Sequence, residues 1–401
     1  MSVRKRRWPD PYTGPNEGWV ADYIDGRGKR RRKSFARKKD AEQFLLTAKS
    51  EVRDGVHTAD AETVTVGVAG DLWIKSGDAS GLERTTIDQR RQHLELHIKP
   101  MLGTMRLNRL SLPVIRDFHD RLREAGRSPG MVKRVTVSLG SILGDAQDRG
   151  LTVRNPVREA SRTRSARNGS QSRARKRLAV GVDLPTTQEL KRLLDHAIGR
   201  YRPLLMTMAF AGLRASEARG LQWSDVDLLK GTLQVSQRAD RYREIGAPKS
   251  HAGIRSIPLP PIVVNTLKEW KLACPKGELG LVFPNTEGGV DFHQNMVHRG
   301  MWPAEIAAGL TVDTGKVDED GKAILAPKYP GFHALRHWFA SWLINRKVDG
   351  GLELPAKTVQ TRMGHSSIQI TFDTYGHLFP VADEQAELKA AERAIFGPHG
   401  T

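Results

Sequence analysis

The sequence Phe332-His-Ala-Leu-Arg-His337 is followed by Met363-Gly-His-Ser366 and then by Thr374-Tyr-Gly-His377. In a helix, His333 and Arg336 of the first run lie three residues apart and project from one face. The glycine of the second run is typical of a helix end, where a positive φ is required, and it places the following histidine at a turn. Each run therefore supplies a group suited to handling phosphate.

Tyr375 closes a short amphipathic run that begins at Ile368, and we expect Ile368 and Phe372 to anchor this run to a core. A phenol is a poor nucleophile at neutral pH because its pKa is about 10. Arginines that neutralise phosphate oxygens, and histidines that donate hydrogen bonds or shuttle protons, would make it a credible nucleophile toward phosphorus. A second arginine, Arg214, follows an apolar helix-like run within Gly212-Leu-Arg-Ala-Ser-Glu217.

Together these motifs resemble those of the phage integrase family of tyrosine recombinases. The resemblance covers most of the chain, and the combination of motifs is far more specific than any one of them. A further segment, Pro248-Lys-Ser250 with Arg255-x-Ile-Pro-Leu259, is similar to the family's β-hairpin that carries a lysine. The residues that match the family's motifs are Arg214, Glu217, Lys249, His333, Arg336, Gly364, His365 and Tyr375.

The resemblance implies a DNA strand-exchange transesterase that integrates or excises phage or mobile-element DNA through a 3′-phosphotyrosyl intermediate. Tyr375 would attack the scissile phosphodiester, while Arg214 and Arg336 would clamp its two non-bridging oxygens. Lys249 would be the general acid that protonates the leaving 5′-oxygen. Other lysines of the same region stay open as alternatives, namely Lys230, Lys268 and Lys271.

The resemblance also assigns roles to the remaining polar residues. His333 would be the general base or proton relay near the tyrosine, and His365 would donate a hydrogen bond to the phosphate. Glu217 would orient Arg214 or His333 from behind. The two histidines that flank the motif residues are interpreted as structural; they are His337 and His377. We expect no metal and no cofactor, because guanidinium and ammonium groups carry the positive charge that the reaction needs.

The composition limits the class of protein. The chain has 401 residues, a formal net charge of +19 and a pI near 10.2, which is typical of a polyanion binder. A hydrophobic content of 38% suffices for real cores, and no apolar run is long enough to span a bilayer. The basic start lacks the apolar stretch of a secretory signal, and the single Cys274 excludes an intramolecular disulfide. We therefore expect a cytoplasmic protein without a membrane partner. The resemblance to phage integrases implies that the cell is a bacterial host and that the protein is associated with its nucleoid.

We expect a multidomain, mainly α-helical protein with small β-sheets, in which an α+β tyrosine-recombinase catalytic domain follows a helical core-binding (SAM-like) domain and a small ββα arm-binding module. In residues 1–60, strands over 19–23 and 29–35, joined by a turn at 25–28, are predicted to precede a helix over 38–52. This part resembles the arm-type DNA-binding module of integrases; its alternative is a disordered basic arm. The residues expected to contact DNA here are Arg30, Arg31, Arg32 and Lys33.

Residues 64–153 are predicted to be helical and resemble the family's core-binding domain, which closes one half of a clamp on DNA. The helices are expected over 66–75, 84–99, 112–124 and 130–148. The basic residues expected to lie along phosphates are Arg90, Arg91, Lys133 and Arg134. Residues 154–182 are rich in arginine and poor in large apolar residues, so we expect a linker between domains.

The catalytic domain is predicted over residues 183–401. A capping box formed by Thr186 and Glu189 starts its first helix, and Gly212 ends an apolar helix that starts at Pro203. Short strands are expected over 225–229, 232–236 and 254–259, followed by a helix over 260–272.

Two further segments of this domain have open roles. The acidic, turn-rich stretch 310–326 is predicted to be an inserted hairpin. The amphipathic helix expected over 382–395 carries Leu388, Ala391 and Ile395 on one side. It either docks on a neighbouring protomer, as is common in the family, or packs on its own domain.

Three other functions remain compatible with the residues: a type IB topoisomerase, a non-catalytic sequence-specific DNA-binding protein, and a metalloenzyme that uses His333, His337 and His365. The arm-like module favours recombination between two sites, and it favours a phage or mobile-element integrase over a chromosome-dimer resolvase. The partners implied by the resemblance are double-stranded DNA at attachment sites, a homotetramer on that DNA, a host DNA-bending protein and an excisionase-type directionality factor.

Overall fold

The computed structural model of the protein describes residues 2–8, 16–25, 28–53, 63–167, 177–379 and 384–397. Contacts divide the chain into two compact units, Met1–Ser172 and Arg173–Thr401. Among the described residues, none of the helices combines the length and the apolar character needed to cross a membrane.

The first unit begins with a three-stranded antiparallel sheet and one helix, which we call the N-terminal module. Its strands are β1 (Ser2–Trp8), β2 (Asn16–Ile24) and β3 (Arg30–Phe35), in that spatial order, and its helix is α1 (Lys38–Arg53). Side chains alternate between the two faces of a strand, so only one face of β2 packs on α1. The buried residues of the core between sheet and helix are Ala21, Tyr23, Ala41, Leu45 and Ala48.

The strand β1 shows that the predicted two-stranded ββα arrangement is wrong. Its sequence, Ser-Val-Arg-Lys-Arg-Arg-Trp, is dominated by basic residues, which hide the period-2 pattern of apolar residues that identifies a strand. Its backbone nevertheless pairs with β2 along its whole length. The strands β2 and β3 and the helix α1 confirm their predictions, and the predicted turn over 25–28 includes residues 26 and 27, which lie outside the described residues.

The remaining described part of the first unit is a helical bundle. Its apolar core includes the fully buried side chains of Leu94, Phe118 and Leu139, each contributed by a different part of the bundle. Every predicted helix of this region is present, with a π-helical turn inside the second. The helices are α2 (Val66–Ala79), α3 (Arg84–His93), α4 (Lys99–Leu102), α5 (Leu112–Glu124), α6 (Pro129–Asp148) and α7 (Pro156–Arg167).

Helix α7 occupies the first part of the segment that was predicted to be a linker. The Asn155 side-chain amide donates a 2.9 Å hydrogen bond to the Gly140 carbonyl in α6. Val157 lies so close to Gly140 that a Cβ there would be 3.0 Å from its side chain. Composition missed this helix because it has few apolar residues and docks through these specific contacts. Residues 168–176, the middle of the predicted linker, lie outside the described residues.

The second unit is mainly helical and has several short strands. Its helices are α8 (Thr187–Asp195), α9 (Tyr201–Ala211), α10 (Ala215–Gly220), α11 (Pro261–Ala273), α12 (His293–Met296), α13 (Trp302–Ala307), α14 (His333–Ile344), α15 (Ala356–Met363), α16 (Ile368–Tyr375) and α17 (Glu384–Phe396). Its strands are β4 (Val226–Asp227), β5 (Thr232–Val235), β6 (Arg238–Ala239), β7 (Ile245–Gly246), β8 (Arg255–Pro258), β9 (Thr311–Val317) and β10 (Ala323–Pro327).

The predicted short strands and the predicted inserted hairpin are present, and the short strands form an antiparallel sheet. β5 lies between β4 and β8, while β9 pairs with β10 as a separate hairpin. The sheet matters for the site because β8 begins at Arg255, a residue buried against the helices described below.

Local sequence signals place the helices of this unit. The Thr186 hydroxyl accepts from the Glu189 N–H while the Glu189 carboxylate accepts from the Thr186 N–H, so the predicted capping box is present. Gly212 and Gly364 end α9 and α15 with φ of 58° and 63°, as a left-handed helix end requires. At Gly212 a side chain is also excluded by space, because a Cβ would lie 2.1 Å from the Phe339 ring.

Helix α16 differs from its prediction in the face that it buries. Phe372 is half exposed and its ring lies 5.8 Å from that of Phe379, whereas Thr371 and Tyr375 are buried. The prediction that Phe372 anchors the helix to the core is therefore wrong. The nucleophile candidate itself, Tyr375, takes that place in the core.

Candidate active site

The first arginine of the site is presented by a sharp turn between two helices. Gly212 ends α9, and Arg214 is the residue immediately before α10, with an extended backbone. Its Nη1 lies 2.6 Å from Glu217 Oε1, and its Nη2 donates to the Gly364 carbonyl at 2.9 Å. The Arg214 side chain remains partly exposed, so it can still meet a ligand.

Glu217 is the buried carboxylate that organises this cluster. Besides Arg214, it binds Arg255 through both oxygens, at 3.2 Å from Nη1 and 2.9 Å from Nη2. Burial raises the pKa of Glu217, but the hydrogen bonds and charge of Arg255, with the charge of Arg214, outweigh burial and hold the pKa at about 2. Glu217 was expected to orient either Arg214 or His333. In the structure it binds Arg214, and its second partner is Arg255 rather than His333.

Arg255 connects the strand β8 to the end of α15. Its Nε donates to the Arg362 carbonyl at 2.8 Å and its Nη1 donates to the Gly253 carbonyl at 2.9 Å. Because a Cβ on Gly364 would lie 2.9 Å from Arg255 Nη1, the glycine is needed for this close approach as well as for its positive φ. Arg255 was not among the predicted site residues, and its place in the β8 motif was the signal that could have found it.

Arg336 is the second arginine and lies on the first turn of α14. Its guanidinium donates to the carbonyls of Gly212 and Met363, the residues at the ends of α9 and α15. Burial and the nearby charge of Arg214 lower the pKa of Arg336 to about 9, so the side chain is still cationic at neutral pH. Arg336 thus gathers two helix ends around a single buried positive charge.

The nucleophile candidate lies beside a histidine that sequence reasoning had set aside. The Tyr375 hydroxyl is 2.8 Å from His337 Nδ1, and the tyrosine is 2% exposed. Burial raises the pKa of Tyr375 to about 12 although Arg336 and Arg214 oppose the shift. Burial, with the charges of His333 and Arg336, lowers the pKa of His337 to about 4. Both groups are therefore neutral at pH 7, and a hydrogen bond joins the phenol to the imidazole.

His337 was interpreted as structural, and its contact with Tyr375 adds a candidate role in catalysis that this interpretation did not include. The signal for it was present, because His333 and His337 are four residues apart and lie on one face of α14. Their ring centroids are 6.1 Å apart. His333 itself is exposed at the start of the helix, beside a cleft of about 420 Å³ that His337 and Asp183 also line.

His365 lies against the ring of Tyr375. Its ring stacks on that of Tyr375 with centroids 6.1 Å apart and an angle of 8° between the planes. Its Nδ1 is 2.9 Å from the Thr371 hydroxyl, which fixes the orientation of the ring. Burial and the charge of Arg336 lower the pKa of His365 to about 4, so it too is neutral at pH 7.

Lys249 lies on an exposed loop between β7 and β8. This loop leads directly to the arginine cluster. Pro248 packs against Gly253, and the Ala252 carbonyl is one of the atoms nearest to a Cβ built on Gly364. The structure therefore brings Arg214, Arg336, His365 and Tyr375 together, with His333 at the cleft edge and Lys249 on an adjoining loop.

The basic residues predicted to contact DNA have unequal surroundings. In the N-terminal module, Arg31 is largely buried and pairs with Asp25 at 2.8 Å, while the Lys33 ammonium lies 4.6 Å from the Phe44 ring centroid. In the bundle, Arg90 stacks on Trp73 at 4.4 Å. The other predicted residues are exposed; they are Arg30, Arg32, Arg91, Lys133 and Arg134.

Residues 185–380 match the model of the phage integrase family. A protein of Caldanaerobacter subterraneus subsp. tengcongensis described as tyrosine recombinase XerC-like is 27% identical over 378 residues, which cover 89% of this chain and 90% of that relative. Among solved structures, a Tn1549 transposon integrase fragment in complex with a circular intermediate DNA has a TM-score of 0.60 at 20% identity, covering 83% of this chain and 100% of that one. A lambda integrase tetramer bound to a Holliday junction has a TM-score of 0.54 at 16% identity, covering 90% and 95%.

The chain belongs to the phage integrase family of tyrosine recombinases. It is a site-specific recombinase of the integrase kind, which breaks and rejoins DNA. The solved structures confirm the expected fold class, a multidomain and mainly helical architecture with small sheets.

Proposed function

We propose that Tyr375 is the nucleophile of this recombinase and that Arg214 and Arg336 bind the phosphate it attacks. The observation that carries the proposal is the convergence of α10, α14 and the end of α15, through the hydrogen bonds of these arginines, around the buried ring of Tyr375. A phenol, a neutral base and two fixed cations are the parts that a transesterification at phosphorus requires.

The reaction proceeds in two balanced steps. The Tyr375 oxygen forms a bond to phosphorus as the bond to the 5′-oxygen breaks, which gives a 3′-phosphotyrosyl link and a free 5′-hydroxyl. The 5′-hydroxyl of the partner duplex then attacks the same phosphorus and releases the tyrosine. One phosphoester replaces another in each step, so the chemistry consumes no cofactor.

The arginines meet the negative charge that grows on the non-bridging oxygens. A guanidinium has five N–H donors, and the contacts of Arg214 with Glu217 and Gly364 leave donors for a phosphate. Their carbonyl and carboxylate partners hold both arginines in place before DNA arrives, so little reorganisation is needed in the transition state. Removing one such preorganised donor typically slows a reaction by about 10²–10³-fold.

His337 accepts the proton of Tyr375 in this mechanism, and His333 at the cleft edge relays it to solvent. In the structure His337 is a weak base because burial and the charges of His333 and Arg336 lower its pKa. A bound phosphate would offset the charge of Arg336, so the pKa of His337 would rise as substrate binds. Tyr375 would therefore lose its proton to His337 only when a phosphate is bound.

The leaving 5′-oxygen takes its proton from Lys249 in our proposal, and His365 donates a hydrogen bond to the phosphate. Lys249 lies on the loop that ends at Arg255, so closure of this loop over DNA would bring the ammonium to the arginine cluster. The stacking of His365 on Tyr375 holds the imidazole at the face of the nucleophile.

The division of labour along the chain is a further part of the proposal. Residues 1–60 bind arm-type DNA sites, residues 64–153 bind core sites, and the basic segment 154–182 links these residues to the catalytic domain. The exposed basic residues support this assignment, among them Lys133 and Arg134 in α6. The substrate is double-stranded DNA at attachment sites, with a host bending protein and a directionality factor as accessory partners.

Assembly into a tetramer on DNA is supported by the terminal helix α17. Its apolar residues Leu388, Ile395 and Phe396 are each about 70% exposed (70%, 73% and 71%), so this side of the helix does not pack on the described part of its own chain. The exposure favours docking on a neighbouring protomer over the intramolecular alternative. The solved lambda integrase tetramer on a Holliday junction supports the same assembly for this fold.

A duplex nicked beside the cleavage site tests the nucleophile. Loss of the short fragment after cleavage traps the covalent complex, and mass spectrometry should place the adduct on Tyr375. Tyr375→Phe should form no adduct, whereas Tyr242→Phe, which removes a phenol oxygen elsewhere in the same unit, should behave as wild type. An adduct on another residue, or one that persists in Tyr375→Phe, would refute the assignment.

The proton acceptor is tested by comparing alanine variants of three histidines, His337, His377 and His333. His337→Ala should slow cleavage of the nicked duplex by about 10²-fold or more, the usual contribution of a general base. His377, which lies 2.9 Å from the Leu178 carbonyl, provides the control, and His377→Ala should have a much smaller effect. A larger loss in His333→Ala than in His337→Ala would instead assign the base to His333.

A further inference from the structure

One face of the N-terminal sheet carries a carboxylate in an unexpected place. Residues Ala21 and Tyr23 of β2 face α1, so the alternate residues Val20 and Asp22 face the other way, on what we call the open face. Asp22 lies opposite Arg32 in β3, and it is 5% exposed. An acidic residue at the middle of a strongly basic surface opposes phosphate binding, so a role in general attraction to DNA does not explain it.

Asp22 is surrounded by three arginines of the open face. Arg30 binds it with two parallel hydrogen bonds, from Nε to Oδ1 at 2.8 Å and from Nη2 to Oδ2 at 2.7 Å. Arg32 Nε lies 3.4 Å from Oδ2, and Arg4 Nη2 of β1 lies 3.6 Å from the same oxygen. The carboxylate is thus buried under guanidinium groups whose own side chains are about half exposed or more, at 65%, 48% and 50%.

This arrangement fixes arginines without using all their donors. A guanidinium has five N–H donors in a rigid plane, and Arg30 uses two of them on Asp22, which leaves three. A free arginine side chain loses much rotamer freedom when it binds, whereas one already held by a carboxylate loses less. Preorganised planar donors suit the paired acceptors of guanine, O6 and N7, better than they suit a phosphate that any lysine can meet.

We propose that Asp22 is a positioning residue for sequence readout, which holds Arg30 and Arg32 so that they bind guanine base edges of duplex DNA. The proposal rests on the proposed DNA-binding role of the N-terminal module and adds to it the division between residues that read bases and residues that only attract phosphates. Of the four residues predicted to contact DNA here, Arg30 and Arg32 read bases on the open face. Arg31 and Lys33 lie on the opposite face of β3, where Arg31 pairs with Asp25 and Lys33 lies over the Phe44 ring, so they stabilise the module instead.

The proposal predicts opposite changes in two measured quantities when the carboxylate is neutralised. Asp22→Asn removes a negative charge, so the affinity for duplexes of random sequence should rise by a few-fold. The arginines lose their anchor, so the preference for the selected sequence over a scrambled one should fall roughly tenfold, the discrimination of one bidentate contact. A residue that acted only through net charge would raise both affinities together.

The experiment selects binding sequences from a random duplex library with the full-length wild-type chain and then measures the affinities of each variant for the selected and scrambled duplexes. Glu17→Gln is the matched control. Glu17 is also an acidic residue of β2, but it pairs with Lys5 and Arg7 on the face of the sheet opposite to the open face. This control should raise both affinities equally and keep the preference. Arg30→Lys keeps the charge but cannot form the two parallel bonds, so it should lose the same preference even if Asp22→Asn does not fold.

The outcomes separate this inference from the function on which it rests. If the wild-type chain selects a guanine-containing sequence and both Asp22→Asn and Arg30→Lys retain the full preference, the positioning role is wrong while the module still binds specific DNA. If Glu17→Gln loses the preference to the same extent, the role is wrong as well. If the wild-type chain selects no sequence that depends on residues 1–60, the proposed arm-binding function itself fails.

Discussion

Glu217 and Asp22 are both buried carboxylates that hold more than one arginine, and they differ mainly in how exposed those arginines are. Glu217 binds Arg214 and Arg255 inside the second unit, where the side chains of Glu217 and Arg255 are only 3% and 2% exposed. Asp22 binds its arginines on a sheet surface where Arg30 is 65% exposed. The geometry is similar, because both carboxylates receive a two-point contact from one arginine.

The difference teaches what burial adds to an ion pair. An exposed pair contributes little to stability because water and salt compete with it, but it can still restrict where a side chain points. A buried pair is costly to assemble and far more costly to break, since the partner left behind is an unpaired charge in a poor solvent. We therefore expect Glu217 to govern both stability and chemistry, and Asp22 to govern recognition alone.

The largest expected effect is the loss of the buried carboxylate charge. Glu217→Gln leaves Arg255 buried without a counter-charge, so the free energy of unfolding should fall by about 3–5 kcal/mol. Asp22→Asn should leave the unfolding midpoint close to that of wild type. Denaturant unfolding of the three proteins at pH 7 measures both changes.

A double variant sharpens this test. Arg255→Met in the Glu217→Gln background removes the uncompensated charge, so it should recover part of the lost stability rather than add to the loss. Equal destabilisation by Glu217→Gln and Asp22→Asn would show that the exposure of the arginines is not what separates the two clusters.

The same comparison can be made with acid, and the expected effect is somewhat smaller. The folded pKa of Glu217 is about 2 against an ordinary value of 4.5, so its contribution is complete above pH 4.5 and is lost as the pH falls from 4.5 toward 2. That pKa difference corresponds to about 3 kcal/mol. The stability gap between wild type and Glu217→Gln should therefore be constant from pH 7 to 5 and should close below pH 4.5.

Other groups titrate in a different range, which keeps this signal readable. His337 and His365 have folded pKa values of about 4 against 6.5, so stability from their neutral forms is lost as the pH falls from 6.5 toward 4 in wild type and variant alike. Taking the difference between the two proteins cancels that loss. A gap that stays constant down to pH 2.5 would mean that Glu217 is not held ionised by its arginines.

The two clusters also show what a sequence can and cannot reveal. Gly212, Gly364 and the capping box at Thr186 were predictable because each obeys a rule about residues within one turn of a helix. The contact between His337 and Tyr375 was missed although the i, i+4 spacing of His333 and His337 was visible. Such spacing shows that two residues share a helix face, but it does not show which residue of another helix contacts that face. Glu217 and Arg255 are far apart in sequence and meet only in the folded structure, where their side chains form hydrogen bonds.

The N-terminal module was only partly predictable for another reason. Period-2 alternation identified β2 and β3, but it does not say which face is covered until the helix is placed. Arg30 and Arg31 therefore had equal standing as DNA contacts, although one lies on the open face and the other binds Asp25. The strand β1 was hidden because its residues are basic on both faces.

The smallest expected effect comes from changing an arginine while keeping its charge. Arg255→Lys keeps a cation beside Glu217 but loses the two-point contact and the bonds to the carbonyls of Arg362 and Gly253. We expect the unfolding free energy to fall by about 2 kcal/mol, the contribution of a few hydrogen bonds. Adduct formation on the nicked duplex should also slow, because Glu217, which binds Arg214, is held less firmly. Arg30→Lys, the same change at the exposed arginine beside Asp22, should leave both stability and adduct formation near wild type and alter only sequence preference. If Arg255→Lys were as mild as Arg30→Lys in the unfolding measurement, the buried cluster would tolerate a point charge in place of a planar one, and Arg255 would be a counter-ion rather than a positioning residue.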